Sequence, residues 1–157
     1  MLVVLDDVLN EPTRQSIVSY FLNSAEARNT HWLKKTEIGL TPLVSLVEVA
    51  ARYFDTSSIA GCEYWAHYGT KPEWHIDKDE LLMTRTGELS TPMFSMVYYA
   101  AVDELTGGKF MTETASITPI ANRLVMFSSG VLHGVESYTG TRLAVAINPW
   151  DKKPEGY

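Results

Sequence analysis

Residues 131–148 read Val131-Leu132-His133-Gly134-Val135-Glu136-Ser137-Tyr138-Thr139-Gly140-Thr141-Arg142-Leu143-Ala144-Val145-Ala146-Ile147-Asn148. Two runs of strand formers flank Ser137-Tyr138-Thr139-Gly140, a turn composition, so the stretch predicts strands over 131–136 and 141–148. Side chains of a strand alternate between its faces. One face of the second strand carries Leu143, Val145 and Ile147; the other carries Arg142, Ala144, Ala146 and Asn148. A charged, small, small, polar face is a poor core surface and suits a cavity that holds a polar ligand. A hairpin centred near 138–139 would set His133 opposite about Ala144, with Arg142 its diagonal neighbour on the same face. An interior guanidinium needs an anion, because an unpaired buried charge is costly, and its planar fork matches a carboxylate.

Trp74-His75-Ile76-Asp77 supplies the complement. In an extended segment His75 and Asp77 point the same way and can take adjacent positions on a metal ion. With His133 they complete two histidines and one carboxylate, a set that leaves three metal positions open and is associated with non-heme Fe(II) oxygenases. A His-x-Asp triplet is common by chance. Its weight comes from the second cluster.

The rest of the chain supplies a frame for these residues. Residues 2–5 read as a short strand. Asn10 then Glu11-Pro12 is a helix start, and Ile17, Val18, Phe21 and Leu22 at helical spacing predict a helix over about 11–23. Thr41-Pro42 opens a second helix, with Leu43, Val44, Leu46, Val47, Ala50, Ala51 and Phe54 as its buried stripe. From Ser58 the pattern changes to about eight short strands with turn signals. Strands are expected over 59–68, 73–77, 93–102, 109–113 and 123–128, with a turn at Gly107-Gly108. In the first of these, Cys62, Tyr64, Ala66 and Tyr68 share a face. His67 faces the other way and reads, like His31, as structural or exposed, while Trp65, Trp74 and Trp150 read as packing residues. Residues 78–92 read as a loop without regular structure, placed beside Asp77 to act as a lid, and residues 150–157 as a tail that covers the same mouth or frays. The expectation is one mainly β domain over residues 1–157, with helical support over about 10–54 and a β core over about 58–148.

Bulk properties exclude some classes. With 157 residues the chain can bury a sizeable core without staples. A net charge of −6 and the lack of a long basic run argue against nucleic acid as a partner. No stretch is apolar for long enough to span a bilayer, and the N-terminal run, Leu2-Val3-Val4-Leu5, is too short for a secretory signal. One cysteine, Cys62, precludes an internal disulfide and fits a reducing compartment, so a cytoplasmic protein is expected. Nothing in the pattern specifies an oligomeric state.

Taken in order, Tyr68, His75-Ile76-Asp77, Val97-Tyr98-Tyr99, Gly107-Gly108-Lys109-Phe110, Asn122-Arg123-Leu124-Val125-Met126-Phe127, His133-Gly134-Val135 and Arg142 resemble the Fe(II)- and 2-oxoglutarate-dependent dioxygenases, in their prolyl-4-hydroxylase-like branch. The resemblance covers about residues 58–148 and implies a double-stranded β-helix, a cupin-like jelly roll. It implies that His75, Asp77 and His133 bind Fe(II), and that Arg142 and Tyr99 hold the far carboxylate of 2-oxoglutarate, with Tyr68 near its other end. It further implies O2 as cosubstrate, ascorbate as a compatible reductant, and hydroxylation of an unactivated C–H bond in a small-molecule or peptidyl substrate, with release of succinate and CO2. Collagen-type members usually carry Lys at the Arg142 position; the oxygen-sensing prolyl hydroxylases carry Arg. The segment between Tyr68 and His75 is shorter here than in the oxygen sensors. A carboxylate at Asp77 disfavours the halogenase variant. Two alternatives remain open on these residues: a cupin-like metalloenzyme that does not use 2-oxoglutarate, and a non-catalytic jelly-roll binding module.

Overall fold

The computed structural model describes residues 1–23, 29–68 and 73–157, with Tyr68 described by its backbone alone. The elements in chain order are β1 (Leu2–Leu5), α1 (Glu11–Leu22), β2 (His31–Lys34), α2 (Lys35–Ile38), α3 (Val44–Ala50), β3 (Gly61–Tyr68), α4 (Glu80–Thr86), β4 (Phe94–Gly107), β5 (Phe110–Thr112), β6 (Ser116–Ile117), β7 (Arg123–Ser128), β8 (His133–Val135) and β9 (Tyr138–Trp150). Strands β1-β7-β4-β9-β3-β2 form one sheet and β6-β5-β8 a second, and every pairing is antiparallel.

Local chemistry sets the elements. The Asn10 side chain accepts from the Thr13 N–H and Pro12 sits in the first turn, so α1 starts where expected. Its stripe, Ile17 and Phe21, packs on the outer face of the large sheet together with Leu43, Leu46 and Ala50. The sheet meets them with Cys62, Tyr64 and Ala66 of β3, Tyr98 of β4, and Leu143, Val145 and Ile147 of β9. Each large apolar side chain buried there contributes roughly 1.5–3 kcal/mol. A smaller cluster fills part of the space between the sheets: Tyr99, Phe110, Val125, Phe127 and Ala144. Phe110 and Phe127 bring the two sheets together, with ring centroids 5.0 Å apart. The two faces of β9 are therefore divided as its alternation predicts.

Several expectations need correction. Residues 131–148 do not form a hairpin. β8 pairs with β5 in the small sheet, with Val135 opposite Phe110 and His133 opposite Thr112. β9 runs between β4 and β3 in the large sheet. Residues 142–150 are buried throughout, the mark of a central strand with both edges occupied. The turn composition at 137–140 signalled a change of direction but could not identify the pairing partner.

Residues 73–77 are not a regular strand; they hold one isolated bridge, His75 to His133. Short β2, α2 and β6 carry no periodic signal and were not foreseen. α3 ends at Ala50, leaving Ala51 exposed.

The expected loop over 78–92 contains α4. The Asp79 side chain accepts from Leu82 N–H at its start, and Gly87, at φ +75°, caps its end. Both signals are in the sequence, but the helix is too short to show an apolar period. The tail does not fray. Asp79 Oδ2 accepts from the Glu155 N–H at 2.7 Å, Arg85 forks onto the Glu155 carboxylate, and Trp150 and Pro154 are buried. Among the described residues no helix is long and apolar enough to cross a membrane.

Candidate functional site

His75 and His133 are set side by side by their own backbones. The N–H of each donates to the carbonyl of the other at 2.9 Å, and the ring centroids lie 4.4 Å apart. His75 Nδ1 lies 2.6 Å from the Glu73 carbonyl, and His133 Nδ1 lies 2.9 Å from that of Val131. A carbonyl can only accept, so each Nδ1 carries a proton, and in the neutral ring each Nε2 presents a lone pair. Those lone pairs face Asp77, with Nε2 of His75 3.4 Å from Oδ1 and Nε2 of His133 3.8 Å from Oδ2. One ligand atom from each residue lies within 4.8 Å of the other two, a grouping that one metal ion could bridge. The indole of Trp74 closes over Gly134, where a Cβ would stand 3.1 Å from the ring.

The electrostatics suit ligation. Burial pushes the Asp77 carboxyl up, but hydrogen bonds from His75 and Ser95 and the charge of His133 outweigh it and hold the group below the usual carboxylate range. Burial pulls His133 down, toward the neutral imidazole a metal needs. His75 moves up through its bond to Asp77. Metal binding would replace that shared proton.

Ser95 was not singled out from the sequence. It is 2% exposed on β4, and its hydroxyl donates to Asp77 Oδ2 at 2.6 Å, fixing the carboxylate plane. Ser95→Ala is expected to weaken metal affinity by roughly 10- to 100-fold, the usual effect of losing a group that orients a ligand. Calorimetric titration with Co(II) measures it, and unchanged affinity would leave Ser95 a packing residue.

The other end of the same cavity holds Arg142 and Tyr99, both buried. A bulge between Tyr99 and Ala101 shifts the β4–β9 register, so that Tyr99 pairs with Ala144 and Val102 with Arg142. Arg142 Nη1 donates to the Gly108 carbonyl at 2.8 Å, and its guanidinium lies 4.6 Å from the Tyr138 ring centroid and 5.7 Å from that of Tyr99. The Gly107-Gly108 turn presents that carbonyl. Both residues have positive φ, and a Cβ on Gly107 would run into the Ser137 carbonyl oxygen. Arg142 Nε and the Tyr99 hydroxyl have no hydrogen-bond partner among the described residues. Burial pushes the Tyr99 hydroxyl up to about 12 against the pull of Arg142, so it stays protonated and able to donate.

Between these ends the wall is built by register. Glu63, Trp65 and His67 of β3 pair with Asn148, Ala146 and Ala144 of β9, and the small alanines leave room for the larger side chains. Trp65 and His67 line the cavity, a position that their reading as packing and as structural or exposed residues did not include. The signal was the alternation: the Cys62-Tyr64-Ala66 face turned out to be the one against the helices. The side chain of Tyr68, expected near the cosubstrate, lies outside the described residues. Tyr98 is in the outer core as expected, donating to Asn122 Oδ1 at 2.8 Å. Cys62 is buried there too, its thiol pushed up to about 12 by burial and so inert.

His67 accepts from the Trp65 indole N–H at 2.7 Å, and burial, with the charge of Arg142, pulls its pKa down from 6.5 to about 4. The unfolded chain binds the proton first, so this stabilisation is complete above about pH 6.5 and is lost as pH falls toward 4. His67→Gln is therefore expected to lose less stability on acidification from pH 7 to 4.5, by up to about 3 kcal/mol in urea denaturation. Parallel pH profiles for the two proteins would contradict neutral burial of His67.

The sequence matches the model of the 2OG-Fe(II) oxygenase superfamily over residues 62–150. No curated protein matches it. Among solved structures, the chain is similar to a viral collagen prolyl hydroxylase of Paramecium Bursaria Chlorella virus-1, solved with 2OG. The TM-score is 0.69 at 13% identity, covering 94% of this chain and 93% of that one. It is also similar to a Pseudomonas putida prolyl-4-hydroxylase, with TM-score 0.66, 16% identity, and 97% and 93% covered. A third is a Trichoplax adhaerens prolyl hydroxylase in complex with a hypoxia inducible factor peptide fragment, with TM-score 0.62, 16% identity, and 99% and 86% covered. At such identities the likeness establishes the fold, the double-stranded β-helix expected from the sequence. The family pattern runs through more than half of the residues, and the chain belongs to the 2OG-Fe(II) oxygenase superfamily, whose members use Fe(II), 2-oxoglutarate and O2.

Proposed function

We propose that this protein is a hydroxylase of the prolyl-4-hydroxylase-like kind, acting as one domain on an unactivated C–H bond of a small-molecule or peptidyl substrate and releasing succinate and CO2. The observation that carries the reading is the pair of unpartnered buried donors, Arg142 Nε and the Tyr99 hydroxyl, in the cavity that also holds His75, Asp77 and His133. Buried polar groups are ordinarily satisfied, and leaving a donor unmet costs about 1–3 kcal/mol. A carboxylate reaching that end would accept from both. The residues therefore fit both groups the family uses: two imidazoles and a carboxylate for Fe(II), a guanidinium and a phenol for the far carboxylate of 2-oxoglutarate.

On this reading His75, Asp77 and His133 would hold the iron. The bound metal and its keto-acid cosubstrate supply the oxidising chemistry. The chain supplies geometry. Ser95 fixes the Asp77 carboxylate, and the Glu73 and Val131 carbonyls fix the imidazole tautomers. Phe110 and Phe127 pack on the His133 ring, with centroids 5.4 and 4.7 Å away, and keep water from that side. The Trichoplax relative is in complex with a peptide fragment, which makes a peptidyl substrate a natural first test.

The experiment is 2-oxoglutarate turnover with and without Fe(II), across peptide, amino-acid and metabolite libraries, with succinate and a gain of one oxygen atom both measured. Succinate that requires iron supports the reading. Iron binding without any 2-oxoglutarate consumption would favour a cupin-like enzyme of another kind.

A further inference from the structure

A second cavity adjoins the first across His75, Asp77, Trp65 and Asn148, and its far wall is formed by Glu63, Lys78 and Glu80. It opens to solvent past Thr30 and Glu80, both exposed. A substrate approaching the metal ligands from outside meets this space. Its charges are unbalanced. Lys78 is committed to Glu80 at 2.8 Å. Asp77 and His75 face the metal position. That leaves Glu63.

The partners of Glu63 are all neutral. The Tyr157 hydroxyl donates to Oε1 at 2.7 Å, while the Asn148 amide and the Trp150 indole N–H stand 3.4 Å from Oε2. The last two are long, weak contacts. No cation among the described residues pairs with this carboxylate, although it sits in the wall of a cavity and is partly buried. Burial pushes its pKa up, and the hydrogen bonds from Tyr157, Asn148 and Trp150 offset only part of that rise. The logic is that of Arg142 with the sign reversed: a cavity wall that holds an uncompensated charge is completed by a ligand of opposite charge.

We propose that the primary substrate carries a cationic nitrogen, an ammonium or a guanidinium, and that Glu63 receives it in the outer cavity while an adjoining C–H faces the metal position. This rests on the hydroxylase reading above. The two cavities then form one polarised channel: an inner cation for the dicarboxylate cosubstrate and an outer anion for the substrate. Glu63 sets specificity; it takes no part in the oxidation.

Paired probes with both backbone ends blocked, so that only the side chain can be cationic, test it: Nα-acetyl-L-lysinamide against Nα,Nε-diacetyl-L-lysinamide, and Nα-acetyl-L-argininamide against Nα-acetyl-L-citrullinamide. Ligand-observed NMR titration of the full chain, loaded with Mn(II) and 2-oxoglutarate, gives the affinities. The cationic member of at least one pair is expected to bind tenfold or more tightly than its neutral partner. In Glu63→Gln that ratio should fall to within about twofold, a loss of about 1 kcal/mol or more of discrimination. Gln keeps the shape and can still accept from the Tyr157 hydroxyl. Glu48→Gln, at an exposed position on α3 that lines neither cavity, should leave the ratio intact. Absence of a cation preference in both pairs, its survival in Glu63→Gln, or its equal loss in Glu48→Gln would overturn the proposal. Iron-dependent succinate formation by the same proteins loaded with Fe(II) in place of Mn(II) separates the two readings. A Glu63-dependent preference without succinate sinks the hydroxylase and leaves the cation site; succinate without the preference does the reverse.

Discussion

Asp77→Ala is expected to lose Fe(II) binding by at least about 100-fold, more than follows from disturbing a group that merely orients a ligand. Asp77 is the one anion of the three residues, and both imidazole Nε2 atoms face its oxygens. Without it, two neutral imidazoles offer a divalent ion two bonds and no charge. The fold should survive. Among the described residues the Asp77 side chain holds no backbone group, and the partners it leaves behind are the half-exposed His75 imidazole and the buried Ser95 hydroxyl. An orphaned hydroxyl costs about 1–3 kcal/mol, which in a chain of this size lowers Tm by some degrees without unfolding it. Anaerobic calorimetry with Fe(II) measures the first effect and a thermal melt the second. Iron-dependent succinate should fall to background. Full iron affinity in a folded Asp77→Ala protein would mean that the triad is not the metal site, and would restore the non-catalytic binding module as the better reading.

The sequence was most informative where one strand had to serve two environments. Leu143, Val145 and Ile147 against Arg142, Ala144, Ala146 and Asn148 announced a sheet with a helix-covered face and a cavity face, and both are found. The same rule applied to β3 was incomplete. It grouped Cys62, Tyr64 and Ala66 correctly but did not say which face turned inward, so Trp65, His67 and Glu63 were passed over. Their inward direction is set by β9, some eighty residues away in sequence, which is pairing information that no local pattern contains. The hairpin failed for the same reason. Its useful consequence, His133 and Arg142 sharing a cavity, survives because the two sheets close on each other rather than because the strands pair. Ser95 was invisible because a serine in a strand has no signature; only the 2.6 Å approach to Asp77 gives it a role.

Arg142→Met should separate cosubstrate binding from folding. The variant keeps an unbranched apolar stem and removes the guanidinium. On the proposed assignment, 2-oxoglutarate loses its paired charge in a site shielded from water. Truncating one partner of a buried charge pair costs about 2–5 kcal/mol, roughly a 30- to 5,000-fold weaker Kd. Stability without 2-oxoglutarate should behave differently. Arg142 is 5% exposed, with its Nε unmet and no anion paired with it among the described residues, so a ligand carboxylate would neutralise a buried charge. Replacing such a charge with an apolar side chain of similar volume is often neutral or stabilising, and the loss of the bond to Gly108 and of the stacking on Tyr138 offsets part of the gain. The ligand-free Tm is therefore expected to be unchanged or higher. The wild-type Tm should rise with added 2-oxoglutarate and the Arg142→Met Tm should not. Leu143→Ala is the control one residue along the same strand. Leu143 is 4% exposed on the helix-covered face, so its truncation should cost about 2–5 kcal/mol of stability while the 2-oxoglutarate Kd of the folded protein stays within about twofold. If Arg142→Met unfolds as Leu143→Ala does, or binds 2-oxoglutarate as the wild type does, the guanidinium belongs to the core and the alternation of β9 carries no function.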